Sequence, residues 1–171
     1  QLAFLGVHLP AYLRDVGMDA SAGVNAIALI SLSNAFGTYA FGKLGDLSRR
    51  KYLLSGLYAI RTLAIVVFVL LPVSKPSLYG FALVMGFTWL GTVPLTNGVV
   101  AQIFGVRYIG TIFGLVFVGH QLGGFFGAWL GGNLYDATHS YGAMWMICIA
   151  LGVASVILNL PISDRSIEHR F

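Results

Sequence analysis

The apolar residues of this chain fall into blocks about as long as a bilayer is thick, separated by short polar connectors, and few folds tolerate that arrangement. A helix needs about 20 apolar residues to cross the hydrocarbon core, and in lipid only structures that satisfy their own backbone groups can span. Charged residues make up 9% of the chain and hydrophobic residues 57%, against roughly 25% charged in a soluble domain. A globule could not be coated from that supply. The chain therefore reads as an all-α, polytopic transmembrane helical bundle over residues 1–171, and as a multi-pass protein of the plasma (inner) membrane.

Hydropathy and punctuation place six blocks. Leu2 to Leu13 is too short to span and reads as the end of a helix whose earlier part precedes Gln1; a basic start and a small-residue cleavage site, the marks of a signal peptide, are absent from it. Val24 to Phe41, Leu53 to Leu71, Leu78 to Ile103 with Pro94 inside it, Ile109 to Leu130, and Tyr141 to Leu160 follow. Five complete helices and one truncated helix result.

Lys and Arg accumulate on cytoplasmic loops. The second and fourth connectors and the C-terminal tail carry Lys43, Arg49, Arg50, Lys51, Arg107, Arg165 and Arg170, and the opposite connectors carry Arg14 and Lys75. That bias puts the 42–54 loop and the C-terminus inside. It also accounts for the net charge of +4 without nucleic acid, for which no basic patch lies outside the loops. Cys148 is the single cysteine, so an internal disulfide is excluded, and mid-helix it reads as a small buried hydrophobe.

The densest charge cluster is GKLGDLSRRKYLL, residues 42 to 54. Gly42 and Gly45 remove side chains where a helix end must approach a neighbour closely. Asp46 at a helix C-terminus opposes the dipole unless it meets a cation, and Arg50 and Lys51 are such cations. The order Gly42, Leu44, Gly45, Asp46, Arg50, Lys51 and Leu54 resembles the signature of the major facilitator superfamily, with Leu47 and Arg49 in place of the usual arginine and glycine. In that family the pattern lies between the second and third helices of each six-helix half, as it does here.

The resemblance covers the whole chain and implies the second half of a twelve-helix transporter, with the N-terminal half absent. It also implies a conformational switch at Gly42, Gly45, Asp46, Arg50 and Lys51. Topology-setting alone is the competing reading of those charges. The runs PLTNGVVAQIFGVRYIGTIFG and GGNLYDATHSYGAMW are similar to the monocarboxylate and oxalate/formate branch. The aspartate and arginine which that branch often carries in its second helix are missing from Val24 to Phe41.

Ionisable residues inside membrane helices are functional hypotheses by default. Arg61 lies about 12 Å along its helix from the Leu53 start. Its counter-charge would come from the missing half, from helix C-terminal carbonyls or from a substrate carboxylate, which the guanidinium fork suits. Snorkelling to the headgroups is the alternative. His120 shares a helix face with Phe113, Phe117, Gly124, Gly127 and Gly131, the small-residue face, so it is expected to point into protein. There it would carry protons or bond substrate, or simply be a satisfied packing histidine. Gln121 would serve the same cavity edge.

In the fourth block Met85, Trp89, Thr92 and Thr96 form a stripe beside Asn97, with Pro94 loosening the backbone, as in the broken helices of transporter midplanes. Thr92 is as readily read as bonding its own helix. His8 and Tyr12 share a face near the outer end of the first block and would line a vestibule. The pathway candidates are thus Arg61, His120, Gln121, Trp89, Thr96, Asn97, His8 and Tyr12.

An enzyme is not indicated. His120 has no acidic or cysteine partner in the core, no pair of metal ligands is spaced on one face, and no phosphate loop follows a strand. No cofactor or metal is called for. The partners expected are a small-molecule substrate, protons, the bilayer and the missing half. Secondary transport by alternating access of a small solute, an organic anion such as a monocarboxylate, is the leading function; a membrane solute sensor is the alternative.

Overall fold

The computed structural model describes residues 1–163. Arg165 and Arg170, assigned above to the cytoplasmic tail, lie outside the described residues. Seven helices run in order: α1 (Leu2–Asp15), α2 (Ala20–Leu47), α3 (Arg50–Leu70), α4 (Lys75–Thr88), α5 (Thr92–Phe104), α6 (Ile109–Thr138) and α7 (Gly142–Asn159). A single 3-10 turn, Val106–Tyr108, links α5 to α6. Counting Lys75–Phe104 as one span, five segments are long and apolar enough to cross a membrane.

Local chemistry sets the helix starts. Asp19 accepts from the Ala22 amide at 2.9 Å and so caps α2. Ser74 and Ser77 form a capping box ahead of α4, with proline in its first turn. At the other end of α6, His139 takes the left-handed conformation, φ 51°, which terminates the helix.

Two blocks differ from their sequence reading. The second extends to Leu47, so Gly42, Gly45 and Asp46 belong to the last turns of α2 and only Ser48 and Arg49 link it to α3. The fourth is two helices, interrupted over Trp89, Leu90 and Gly91. Pro94 is the cause within reach: it has no N–H to offer the Leu90 carbonyl, and its ring would crowd that oxygen. The Leu90 carbonyl accepts instead from Val93 N at 2.9 Å, a tighter turn.

The helices pack chiefly as α2 on α4, α3 on α7 and α1 on α6. The α2–α4 seam depends on missing side chains. A Cβ on Gly37 would lie 1.8 Å from the Phe87 carbonyl oxygen, and one on Gly86 would lie 2.4 Å from that of Ile30. Such close backbone approach is the main route to tight association in lipid. One core gathers Phe4, Leu9, Phe68, Phe81, Met144 and Trp145 from α1, α3, α4 and α7. A smaller one joins Phe41, Leu54, Leu57, Leu95 and Val99 of α2, α3 and α5. Cys148 is buried in the first.

Candidate functional site

Arg61 is the twelfth residue of α3 and only 3% exposed. It does not snorkel. Its Nη2 donates to the carbonyls of Thr88 and, at 3.2 Å, of Trp89, both at the α4–α5 interruption, where the ends of helices leave carbonyls in need of donors. Helix C-terminal carbonyls are thus the acceptors met by Arg61 within this chain. The guanidinium also lies 5.5 Å from the centre of the Tyr58 ring, a cation–π distance. Its Nε is buried with no hydrogen-bond partner among the described residues.

Beside Arg61 opens a groove of about 310 Å³ lined by Tyr58, Arg61, Thr92, His120 and Ser155, among others. A second cavity of about 310 Å³, lined by Trp89, Thr96, Phe113 and Phe117, shares Leu2, Tyr58, Thr92 and His120 with the first. The two make one trough bounded by α3, α5, α6, α7 and the start of α1. Polar groups of three helices, the Tyr58 and Thr92 hydroxyls, Arg61 and His120, face it in otherwise apolar surroundings, the usual make-up of a small-molecule site.

His120 departs from its expected environment. It is exposed in this chain and stacks on Phe117 at 5.9 Å. The glycines of its face behave as expected: a Cβ on Gly131 would sit 2.9 Å from rings of His8 and Phe4 on α1, and Gly124 approaches Ala3. His120 lies on the same face but where it borders the trough rather than α1. Gln121 is exposed and lines neither cavity.

Trp89, Thr92 and Thr96 keep their stripe across the interruption and border the trough, whereas Met85 is fully buried in the core. In α4 it is Thr88 that bonds its own helix, its hydroxyl donating to Val84 O at 3.0 Å. Asn97 points elsewhere, into a cavity of about 310 Å³ with Gly45, Asp46, Arg50 and Gly98.

Around that cavity Arg50 bridges two helices. It donates to Asp46 Oδ1 at 3.4 Å and to Gln102 Oε1 at 3.4 Å, and its Nε lies 2.3 Å from where a Gly98 Cβ would stand. Of the two motif glycines, a Cβ on Gly45 would lie 3.0 Å from the Leu95 side chain, and one on Gly42 would meet open space. Lys51 is not the partner of Asp46: its Nζ donates to Ile162 O at 3.0 Å, beyond the end of α7. That contact places the α2–α3 link and the end of α7 at one end of the bundle.

His8 and Tyr12 do not border the trough. His8 Nε2 bonds Ala128 O at 2.8 Å and Nδ1 meets the Tyr141 hydroxyl at 3.4 Å. Tyr12 packs edge-on to Trp145, ring centres 5.3 Å apart. Both are packing residues at the α1, α6 and α7 junction. At the same end Asp19 pairs with Lys75 at 3.0 Å; a hydrogen bond from Ser21, then those from Lys75 and the Ala22 amide, hold its carboxyl down to about 2.

Sequence reasoning missed Tyr58 and Ser155. Tyr58 precedes Arg61 by one turn, a spacing that puts both on one face; nothing in sequence links Ser155 to either. It also missed the role of Asn34, whose Oδ1 accepts from Leu90 N at 3.0 Å, a contact across 56 positions that carries no local pattern.

Among curated proteins, the uncharacterized MFS-type transporter YcxA of Bacillus subtilis is 29% identical over 96% of this chain and 41% of its own length. Monocarboxylate transporter 13 of Bos taurus and of Rattus norvegicus are 31% and 32% identical over 91% of this chain and 37% of theirs. The chain spans about two fifths of the length of these relatives. The profile of the Major Facilitator Superfamily matches residues 1–169. With its all-helical bundle, its five spans and the glycine–aspartate–arginine seam between α2 and α3, the chain belongs to the Major Facilitator Superfamily.

Proposed function

We propose that this chain is the C-terminal half of a secondary transporter that moves a small solute across the plasma membrane by alternating access. The solute is a small organic anion such as a monocarboxylate, taken in exchange or with protons, and the C-terminus is cytoplasmic. The observation that carries the reading is the trough: buried Arg61 and exposed His120, from different helices, border one cavity inside a set of membrane-spanning segments. Intramembrane cations face cavities or partners and mark solute paths. The name of the mammalian relatives, monocarboxylate transporter 13, supports the solute class. Sequence preceding Gln1 supplies the opposite wall of the trough.

His120 is the proton-linked group of this reading, and Arg61, which borders the trough, supplies the fixed positive wall. Asp46 and Arg50 form the switch at the α2–α3 link; Lys51 anchors the end of α7 instead. Uptake of labelled lactate by the full-length protein in proteoliposomes, with and without an inward proton gradient, tests the assignment. Accumulation that His120→Gln uncouples from the gradient, at least about tenfold, while sparing exchange, is expected; general acid–base groups commonly contribute 10² or more. Binding without accumulation would make the protein a sensor, and unchanged proton dependence would remove His120 from the pathway.

A further inference from the structure

The interruption between α4 and α5 is held from outside by two other helices. α5 has no side-chain cap. Asn34 on α2 instead takes up an amide inside the interruption, its Oδ1 accepting from Leu90 N. Arg61 on α3 holds the carbonyls of Thr88 and Trp89.

These are the groups that a continuous helix would use. With i to i−4 bonding, Leu90 N would go to Gly86 O, Thr92 N to Thr88 O and Val93 N to Trp89 O. Here Leu90 N goes to Asn34, Val93 N goes to Leu90 O, and Arg61 occupies both carbonyls. Only the bond barred by Pro94 would be missing from the continuous form. Two arrangements of one segment therefore compete for the same donors and acceptors.

We propose that residues Trp89 to Gly91 are a two-state joint, with Asn34 and Arg61 the positioning residues that hold its interrupted state and α5 the rigid element it swings. α5 carries Thr92 and Thr96 on the trough at one end and Asn97, Gly98 and Gln102 against Asp46 and Arg50 at the other. Reorienting it alters both places at once, and a two-state element biased by both sites is what coupling requires. The consequence for transport rests on the trough reading; the joint does not.

Spin labels at Gly80→Cys on α4, which has open space around it, and at Phe104→Cys on α5, in a Cys148→Ser background of the full-length protein, measure the joint without any solute. Asn34→Ala, which removes the acceptor, and Pro94→Ala, which restores the missing amide, are expected to raise the population of a second label separation about fivefold, the ratio one net hydrogen bond sets. Asn34→Asp keeps the acceptor and should match the parent protein. Identical distance distributions in the parent and Pro94→Ala overturn the joint, and Pro94→Ala decides even if Asn34→Ala fails to fold. A shift in Asn34→Asp equal to that in Asn34→Ala overturns the role of Asn34. Normal uptake failing in all proteins would strike the transport reading alone.

Discussion

His8 on α1 and His120 on α6 sit in helices that pack on each other and meet opposite surroundings. His8 is held on two sides: because a carbonyl only accepts, its Nε2 donates to Ala128 and its Nδ1 is left to accept from Tyr141. Phe4 stacks on it at 5.5 Å. His120 touches one ring and an open trough. An intramembrane histidine is thus a structural pin or a pathway group according to how many polar partners its own bundle supplies. The packed side of the molecule partners its polar atoms internally, Trp145 Nε1 excepted among the described residues, and the open side leaves them for something else.

The contrast is broken most directly at the glycines. Gly86→Ala, on the packed side, should destabilise by about 3 kcal/mol, the upper part of the overpacking range, because its Cβ would meet Ile30 backbone. Gly119→Ala, with nothing within 4 Å, should gain about 0.5–1 kcal/mol from helix entropy. Thermal unfolding in detergent measures both; a large loss at Gly119 would locate a tight contact that the described residues do not supply. Next in size is His8→Leu, expected to lose about 0.5–1.5 kcal/mol with the hydrogen bond to the Ala128 carbonyl and to leave coupling of uptake intact, whereas His120→Leu should keep its melting temperature and lose coupling. Equal melting losses would end the distinction between pin and pathway group.

The smallest effect is expected at the outer ion pair. The carboxyl of Asp19 is held down to about 2, so the pairing contribution is present above the ordinary carboxylate value and fades only as pH falls through about 2. Between pH 5 and 8 the melting temperature of Asp19→Asn should therefore differ from that of the parent by a constant amount. A difference that changes across this range would show another titrating group acting on the pair.

Helix number and membrane character were legible because bilayer thickness imposes a length on apolar runs. The α2–α3 motif was legible because its spacing is local. Asp46 and Arg50 are four positions apart and do meet, whereas Lys51, adjacent in sequence, points to the far end of the chain. The glycine face of α6 was readable from helical periodicity. What covers each part of that face was not, so His120 was expected in protein and found on the trough. Pro94 announced a weakened backbone, and the actual interruption three to five residues earlier follows from the bonds that proline denies and the partners Asn34 and Arg61 supply. Those partners come from other helices, and a tertiary partner leaves no trace in the segment it serves. His8 and Tyr12 misled for the same reason: polarity in a helix reveals a demand for partners without saying who meets it.

The hydrogen bond from Lys51 to Ile162 O draws the chain between those residues into a closed ring, tied where α3 begins and α7 ends. A fluorophore attached at Ser163, next to Ile162, would sit beside that knot. It would register displacement of the α2–α3 link through a change in its own surroundings, making the end of α7 a natural reporter for a switch it takes no part in.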